Sequence, residues 1–291
     1  MKIKVEKEPT GSETEKLYTI ARRNMNAPFR RMIADVRFAI DTKNLYFNDF
    51  QIILPHGRGA CATSGIIFTI LYGIEKDIEY KQIKQRHLAD PEWMKKQEKN
   101  FKPYHTAPTQ NRNIIGHTVI LCNTIEEVKN LMYCVAWGIE RLGLRDKYDD
   151  SITKNRFVRK DYNAKIYCMT LDQFREFKGQ FKYVYFYNVD RMRYFQDYIS
   201  LKDKALQPLN DEINAFCFAE YNVPESSSHW TYDTFTKFKS KCRTMKVYFG
   251  TYQTVPHDWL GEGFFTMATL LKKDNPRAYE NEYLGKATTI F

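Results

Sequence analysis

The chain has 291 residues, room for one large domain or two small ones. Its hydrophobic content of 43% supports a real core, while the absence of a long apolar run and the charged N-terminus (MKIKVEKEPTGSETEK) argue against a membrane span or a signal peptide. The net charge of +10 favours a polyanionic partner, and a Lys-rich composition explains it equally well.

Residues 1 to 15 are polar and read as a loose end; residues 16 to 285 read as one domain, followed by a tail at 286 to 291. Leu17 to Ala39 has apolar residues at helical spacing and reads as one or two helices broken near Pro28. Gln51 to Leu54 reads as a short buried strand, Pro55 to Thr63 as a glycine-bearing loop and Ser64 to Gly73 as an apolar helix. Asp77 to Asn113 is polar, with three prolines, and reads as an irregular excursion holding at most a short helix.

His117 to Cys122 reads as a buried strand, and Thr124 caps an amphipathic helix over Ile125 to Leu142, with Gly143 at its end. Phe157 to Lys160 and Lys165 to Thr170 read as a hairpin around Tyr162-Asn163. Lys182 to Tyr187, Ile213 to Glu220 and Met245 to Tyr252 are further strands, and Asn222 to Ser228 is a turn-rich loop. Trp259 to Lys273 and Pro276 to Leu284 read as closing helices. Strands alternating with helices predict an α/β fold, with loops after Leu54, Cys122, Tyr187 and Glu220 on one ligand-binding edge.

Basic clusters occur at Arg22-Arg23, Arg30-Arg31, Lys154 to Lys160 and Lys237 to Lys246; each serves equally as a solvated face. Cys61, Cys122, Cys134, Cys168, Cys217 and Cys242 form no metal-binding or disulfide spacing and read as buried thiols of a reducing compartment.

Strand, Gly-rich loop and helix are the parts of a phosphate cradle, in which loop amides and the helix N-terminus hold a polyphosphate. Against the pattern G-x-x-x-x-G-K-[ST], His56 stands at the first Gly, Cys61 at the second, Ala62 at the Lys and Thr63 at the hydroxyl. Taken alone, the loop is better read as an ordinary strand-turn-helix with two glycines.

Further segments, however, resemble the ATPase half of the bacteriophage terminase large subunit, of the PBSX-like type. The C-terminal stretch carries this best, with Trp259-Leu260-Gly261, Asn275-Pro276, Tyr279 and Glu282-Tyr283-Leu284-Gly285 in the family's register. Asn222-Val223-Pro224 with Ser228-His229-Trp230, and His56-Gly57-Arg58-Gly59-Ala60-Cys61-Ala62-Thr63-Ser64, fall in order upstream. The resemblance spans most of Asp49 to Thr288. It implies a three-layer P-loop NTPase-like domain with a mainly parallel central sheet. It places nucleotide binding at Gly57, Arg58, Gly59, Thr63 and Ser64, with ATP and magnesium as the family's cofactors. Implied partners are duplex DNA, a phage portal or another terminase subunit, in an oligomer, without a membrane, in the host cytoplasm.

The chain departs from the family at every charged position. Ala62 replaces the phosphate-binding Lys, Tyr187 and Asn188 replace the metal-orienting carboxylates, and Cys122 or Asn123 stands where the cis-acting Arg belongs. Such an Arg alone is worth roughly 10³ to 10⁵ in rate. No catalytic residue or metal ligand is therefore assigned, and Asp190 lies out of register. ATP hydrolysis is expected to be very weak or absent, with any nucleotide weakly held. The loop is expected open to an anion or collapsed, with Cys61 or Ile66 in the phosphate space. The chain ends at Phe291, where the family's nuclease would begin, so no nuclease is expected. Two function classes follow: a degenerate packaging-motor homologue, or a non-enzymatic structural or adaptor protein on the same fold. In a third reading, a separate chain supplies the nuclease and catalytic groups.

Overall fold

The computed structural model describes residues 12–42, 49–89, 117–151, 154–162, 164–179, 181–206, 215–237 and 245–287. Two helices, α1 (Glu13–Arg23) and α2 (Ala27–Thr42), open the chain. Ser12 caps the first, accepting from the Glu15 amide. The break falls at Asn24 to Asn26, where Asn26 Oδ1 accepts from the Phe29 N–H and Pro28 occupies the first turn of α2. The segment is thus two helices, broken where Pro28 predicts. Of the N-terminal end read as loose, residues 1 to 11 lie outside the described residues, and Glu13 to Glu15 begin α1.

The sheet is built from β1 (Asp49–His56), β2 (Thr118–Cys122), β3 (Tyr148–Ser151), β4 (Arg156–Arg159), β5 (Ala164–Thr170), β6 (Tyr183–Phe186), β7 (Ala215–Asn222) and β8 (Met245–Val247). Its order is β3-β4-β5-β2-β6-β7-β1-β8. The pairings from β5 through β8 are parallel; β3, β4 and β5 pair antiparallel at the edge.

The helices are α3 (Ala62–Ala89), α4 (Ile125–Arg141), α5 (Leu171–Glu176), α6 (Phe195–Leu206), α7 (Glu262–Asp274) and α8 (Pro276–Glu282). Alternation along the strands sorts the core into two layers. Ile52, Leu54, Ile120, Tyr185 and Phe218 face α1 to α4, while Ile53, Val119, Leu121, Val184 and Ala219 face α5 and α6. The expected three-layer, mainly parallel architecture is therefore present. Because the central strands run parallel, the loops after β1, β2, β6 and β7 share the carboxyl edge.

One expected boundary is overturned. The helix read as ending at Gly73 runs on to Ala89, through residues read as irregular. Gly73 is a close-approach position: a Cβ there would lie 2.5 Å from the Tyr183 hydroxyl. The polar continuation is held by partners distant in sequence. Glu75 meets Arg159 and Tyr148, Asp77 meets Lys182 and Tyr183, and Glu79 accepts from Thr14. The rest of the excursion, residues 90 to 113, lies outside the described residues.

The predicted hairpin is β4 and β5, with Asn163 outside the described residues. The last strand is only three residues long, and its continuation pairs through Tyr248 N–H to Ile53 O and Gly250 N–H to Pro55 O. No helix among the described residues is long and apolar enough to cross a membrane.

Candidate functional site at the carboxyl edge of the sheet

The loop from Gly57 to Cys61 joins β1 to α3. Gly59 (φ 77°) and Cys61 (φ 58°) are both left-handed, so Cys61 takes by strain a conformation that glycine adopts freely. Asn26 Nδ2 anchors the loop, donating to Ala60 O at 2.6 Å. The neighbouring His56 ring has its pKa pushed down to about 4 by burial, leaving it neutral.

A small helical hairpin, α7 and α8, lies against this loop. Asn275 caps α8, accepting from the Ala278 amide, with Pro276 at its first position. Tyr252, Phe264, Ala268, Tyr279 and Tyr283 form a separate apolar cluster, and Tyr252 and Tyr279 share a hydroxyl hydrogen bond of 2.7 Å. The hairpin reaches into the loop's entry half. The Arg58 amide donates to Glu282 O at 2.6 Å and the Gly57 amide to Gly250 O at 3.1 Å. A Cβ on Gly57 would lie 2.3 Å from Tyr283 O, and one on Gly59 2.5 Å from the Phe264 ring. The exposed Arg58 guanidinium lies 5.7 Å from the Tyr283 ring.

Gly57→Ala would push the hairpin off the loop. We expect it to cost about 1–3 kcal/mol, the range for overpacking a fixed backbone contact. Urea unfolding checks this, and an unchanged midpoint would show that the hairpin is not fixed there.

The helix-end half of the loop is wired differently. Among the described residues, no protein acceptor meets the amides of Cys61, Ala62, Thr63 or Ser64. These donors and the helix dipole suit a phosphate. Thr63 Oγ1 donates to Glu220 Oε1 at 2.8 Å. Glu220, on β7, is 1% exposed, and burial raises its pKa to about 7 against the Thr63 bond. Its Oε2 has no partner, and the nearby Tyr185 hydroxyl makes no hydrogen bond of ordinary geometry. Asp190 also keeps an unpartnered oxygen, and burial lifts its pKa to about 6.

The positions without charge are occupied structurally. Asn188 is left-handed (φ 51°) and donates to Glu127 Oε1 at 3.2 Å; burial raises the Tyr187 phenol. Asn123 donates its amide to Glu127 Oε2, and the Cys122 thiol donates to Met169 O. Glu127, in the first turn of α4, completes a capping box with Thr124 and takes Arg191 Nη1 at 2.7 Å.

The fold has solved counterparts. The HK97 bacteriophage large terminase superposes with a TM-score of 0.61 at 11% identity, covering 95% of this chain and 56% of that one. The large terminase of a thermophilic bacteriophage, in complex with ADP, gives 0.53 at 12% identity over 96% and 54%. The fold is that of a phage large terminase ATPase domain. The isolated ATPase domain of a Thermus phage large terminase matches at 0.50 and 10% identity, over 86% of this chain and 92% of that one. This chain spans a little over half the length of the first two terminases. No protein-family model and no curated protein sequence matches the chain.

On that terminase fold, Gly57, Arg58, Gly59, Thr63 and Ser64 lie together at the start of α3, with Gly57 and Arg58 engaged by the hairpin. Their part in nucleotide binding is a proposal. The loop half that fits phosphate is Cys61 to Ser64. For magnesium, Thr63 and two unpartnered carboxylate oxygens are in the neighbourhood, but no group of three acidic, His or Cys ligands forms among the described residues. Ile66 is packed in the core, and the protein atoms at the loop entry belong to the hairpin and to Gly250 beyond β8. The sequence held no sign of Glu220 as a site residue beyond a lone acid at the end of an apolar strand.

Proposed function

We propose that this protein is a terminase-type motor-domain homologue from a phage packaging machine that has lost ATP turnover and works through its surfaces. The wiring of the loop carries this reading. Its entry amides bind Glu282 O and Gly250 O, and the residue in the Lys position, Ala62, offers no charge. A triphosphate at the loop entry would have to displace the hairpin and would find no cation at the Lys position in return. Loss of one charged hydrogen bond to phosphate costs roughly 1.5–3 kcal/mol. Proposed partners are duplex DNA, a portal or another terminase subunit, in an oligomer in the cytoplasm of a phage's host. The adaptor reading shares these surfaces and differs only in never having a motor role.

A second reading is favoured by the bond between Thr63 and Glu220. A carboxylate from β7 at the head of α3 stands in the neighbourhood that the missing β6 carboxylates would serve. In this reading Glu220 and Asp190 take over the handling of magnesium and water. Steady-state phosphate release with magnesium and duplex DNA separates the two. We expect none above background. Turnover that disappears in Glu220→Gln and in Gly59→Pro would establish the second reading.

A further inference from the structure

The elbow between α1 and α2 holds a recess of about 420 Å³ lined by Tyr18, Thr19, Arg22, Arg23 and Arg30. No acidic side chain is among these residues. Arginines in the last turn of α1 complement its dipole, which accounts for the sign of Arg22 and Arg23. It does not account for Arg30 and Arg31, which enter at the start of α2, where positive charge is disfavoured.

Among the described residues, no carboxylate pairs with the guanidinium groups of Arg22 and Arg30. Arg22 lies 5.4 Å from the Tyr18 ring, whose other cation, Arg37, lies at 4.5 Å and is bound to Glu15. The Arg22 side chain makes no ion pair or hydrogen bond among the described residues, and its backbone carbonyl accepts from Met25 N–H. Among the described residues, Arg30 uses only Nε, donating to Met25 O at 2.9 Å, which leaves its forked N–H groups directed elsewhere. The Thr19 hydroxyl donates back to Glu15 O, so it leaves acceptor capacity alone.

The charged surface continues onto α4. Arg141 donates Nε to Asn24 Oδ1 at 2.8 Å, beside Arg23. One and two turns before it on that face stand Trp137 and Tyr133, 47% and 73% exposed. A single small anion needs one recess. A run of guanidinium forks fits a repeating phosphate chain, and the exposed rings beside it offer apolar contact to its sugars.

We propose that this elbow binds the phosphates of a nucleic-acid backbone, with Arg22 and Arg30 as the primary contacts and Arg141, Trp137 and Tyr133 extending the footprint. The choice of duplex DNA as the nucleic acid rests on the packaging reading; the recess itself does not. The elbow touches the loop through Asn26 Nδ2 to Ala60 O, while the recess is lined by none of the Cys61 to Ser64 residues and needs no nucleotide.

Fluorescence anisotropy of a labelled 30-base-pair duplex, titrated with the full chain over a salt series, tests this. Arg22→Ala/Arg30→Ala should weaken binding by about 10-fold per arginine. It should lower the log–log salt slope by about 2, at ~0.9 per phosphate contact. Lys272→Ala/Lys273→Ala removes the same charge from the end of α7 and should leave the slope nearly unchanged. Equal losses in both double variants would overturn the site, leaving only bulk charge. Displacement of the duplex by pyrophosphate, beyond what matched ionic strength produces, would also overturn it in favour of a free-anion pocket.

Because Arg30 holds the Met25 carbonyl, the exposed Arg22→Ala single variant is measured as well. A full-affinity, correctly melting Arg22→Ala would count against the proposal. Tighter binding of a single strand of equal length would overturn the duplex choice. ATP turnover would overturn the packaging reading in its own assay without touching this one.

Discussion

Arg159→Leu should destabilise the protein by roughly 3–5 kcal/mol, the range for removing one member of a buried ion pair. Arg159 and Glu75 are each only 7% exposed, and their side chains meet at two points, Nε to Oε1 at 2.9 Å and Nη2 to Oε2 at 3.3 Å. Tyr148 also donates to Glu75 Oε1 at 3.1 Å, and burial with this negative neighbour lifts the phenol pKa well above its usual range. Without the guanidinium, the Glu75 carboxylate stays desolvated with one neutral donor. Urea unfolding measures the loss. The double replacement Glu75→Leu/Arg159→Leu should recover most of it, because desolvation rather than attraction dominates such pairs. A single-variant loss below about 1 kcal/mol would show that water reaches the pair.

This pair also explains where sequence reading failed. The hydrophobic periodicity of α3 stops near Gly73, and Asp77 to Ala89 looks like solvent-facing chain. Its helix is instead specified by acids whose partners arrive from β4, β6 and α1, at separations of 65 to 106 residues. No local pattern encodes such pairings. Elements whose signals are local were legible: the Thr124 cap, the short apolar strands, the β4–β5 hairpin and Pro276 opening α8. Short α5 and α6 were missed, and with them the aromatic packing of Tyr198 against Phe186 that covers the second face.

At the site, Ala62, Tyr187 and Asn188 were legible as neutral residues, and their standing at the family's charged positions rests on the resemblance. What fills the loop entry was not. The contacts of Glu282 O and Tyr283 O with Gly57 and Arg58 join residues more than two hundred positions apart. The motif predicted that segment's kinship but carried nothing about its docking. The basic clusters at Arg22-Arg23 and Arg30-Arg31 were visible as charge alone. Only the elbow between two helices makes them one recess.

The second large effect concerns Glu220. Its ordinary pKa is 4.5, and burial raises it to about 7 in the folded protein. A carboxyl raised in this way holds its proton in the folded state after the unfolded chain has released it. Between pH 4.5 and about 7 the folded state therefore binds more protons, and stability falls as pH rises through that window. Asp190, raised from 3.8 to about 6, adds a loss of the same sign at lower pH. Glu220→Gln keeps the shape, can still accept from Thr63 and carries no charge. Above pH 7 it should be more stable than the native protein by roughly 3 kcal/mol, at about 1.4 kcal/mol for each pKa unit. Below pH 4.5 the advantage should vanish. Urea midpoints from pH 4 to 8 give the comparison, and parallel curves for the two proteins would refute the burial of a titrating Glu220. Repeating the pH 8 measurement with millimolar magnesium then bears on function. A magnesium-induced gain in the native protein that Glu220→Gln lacks would mean the carboxylate holds a cation in the folded state. The same gain in both, or in neither, leaves Glu220 as an unneutralised charge beside Thr63, in keeping with the proposed loss of turnover.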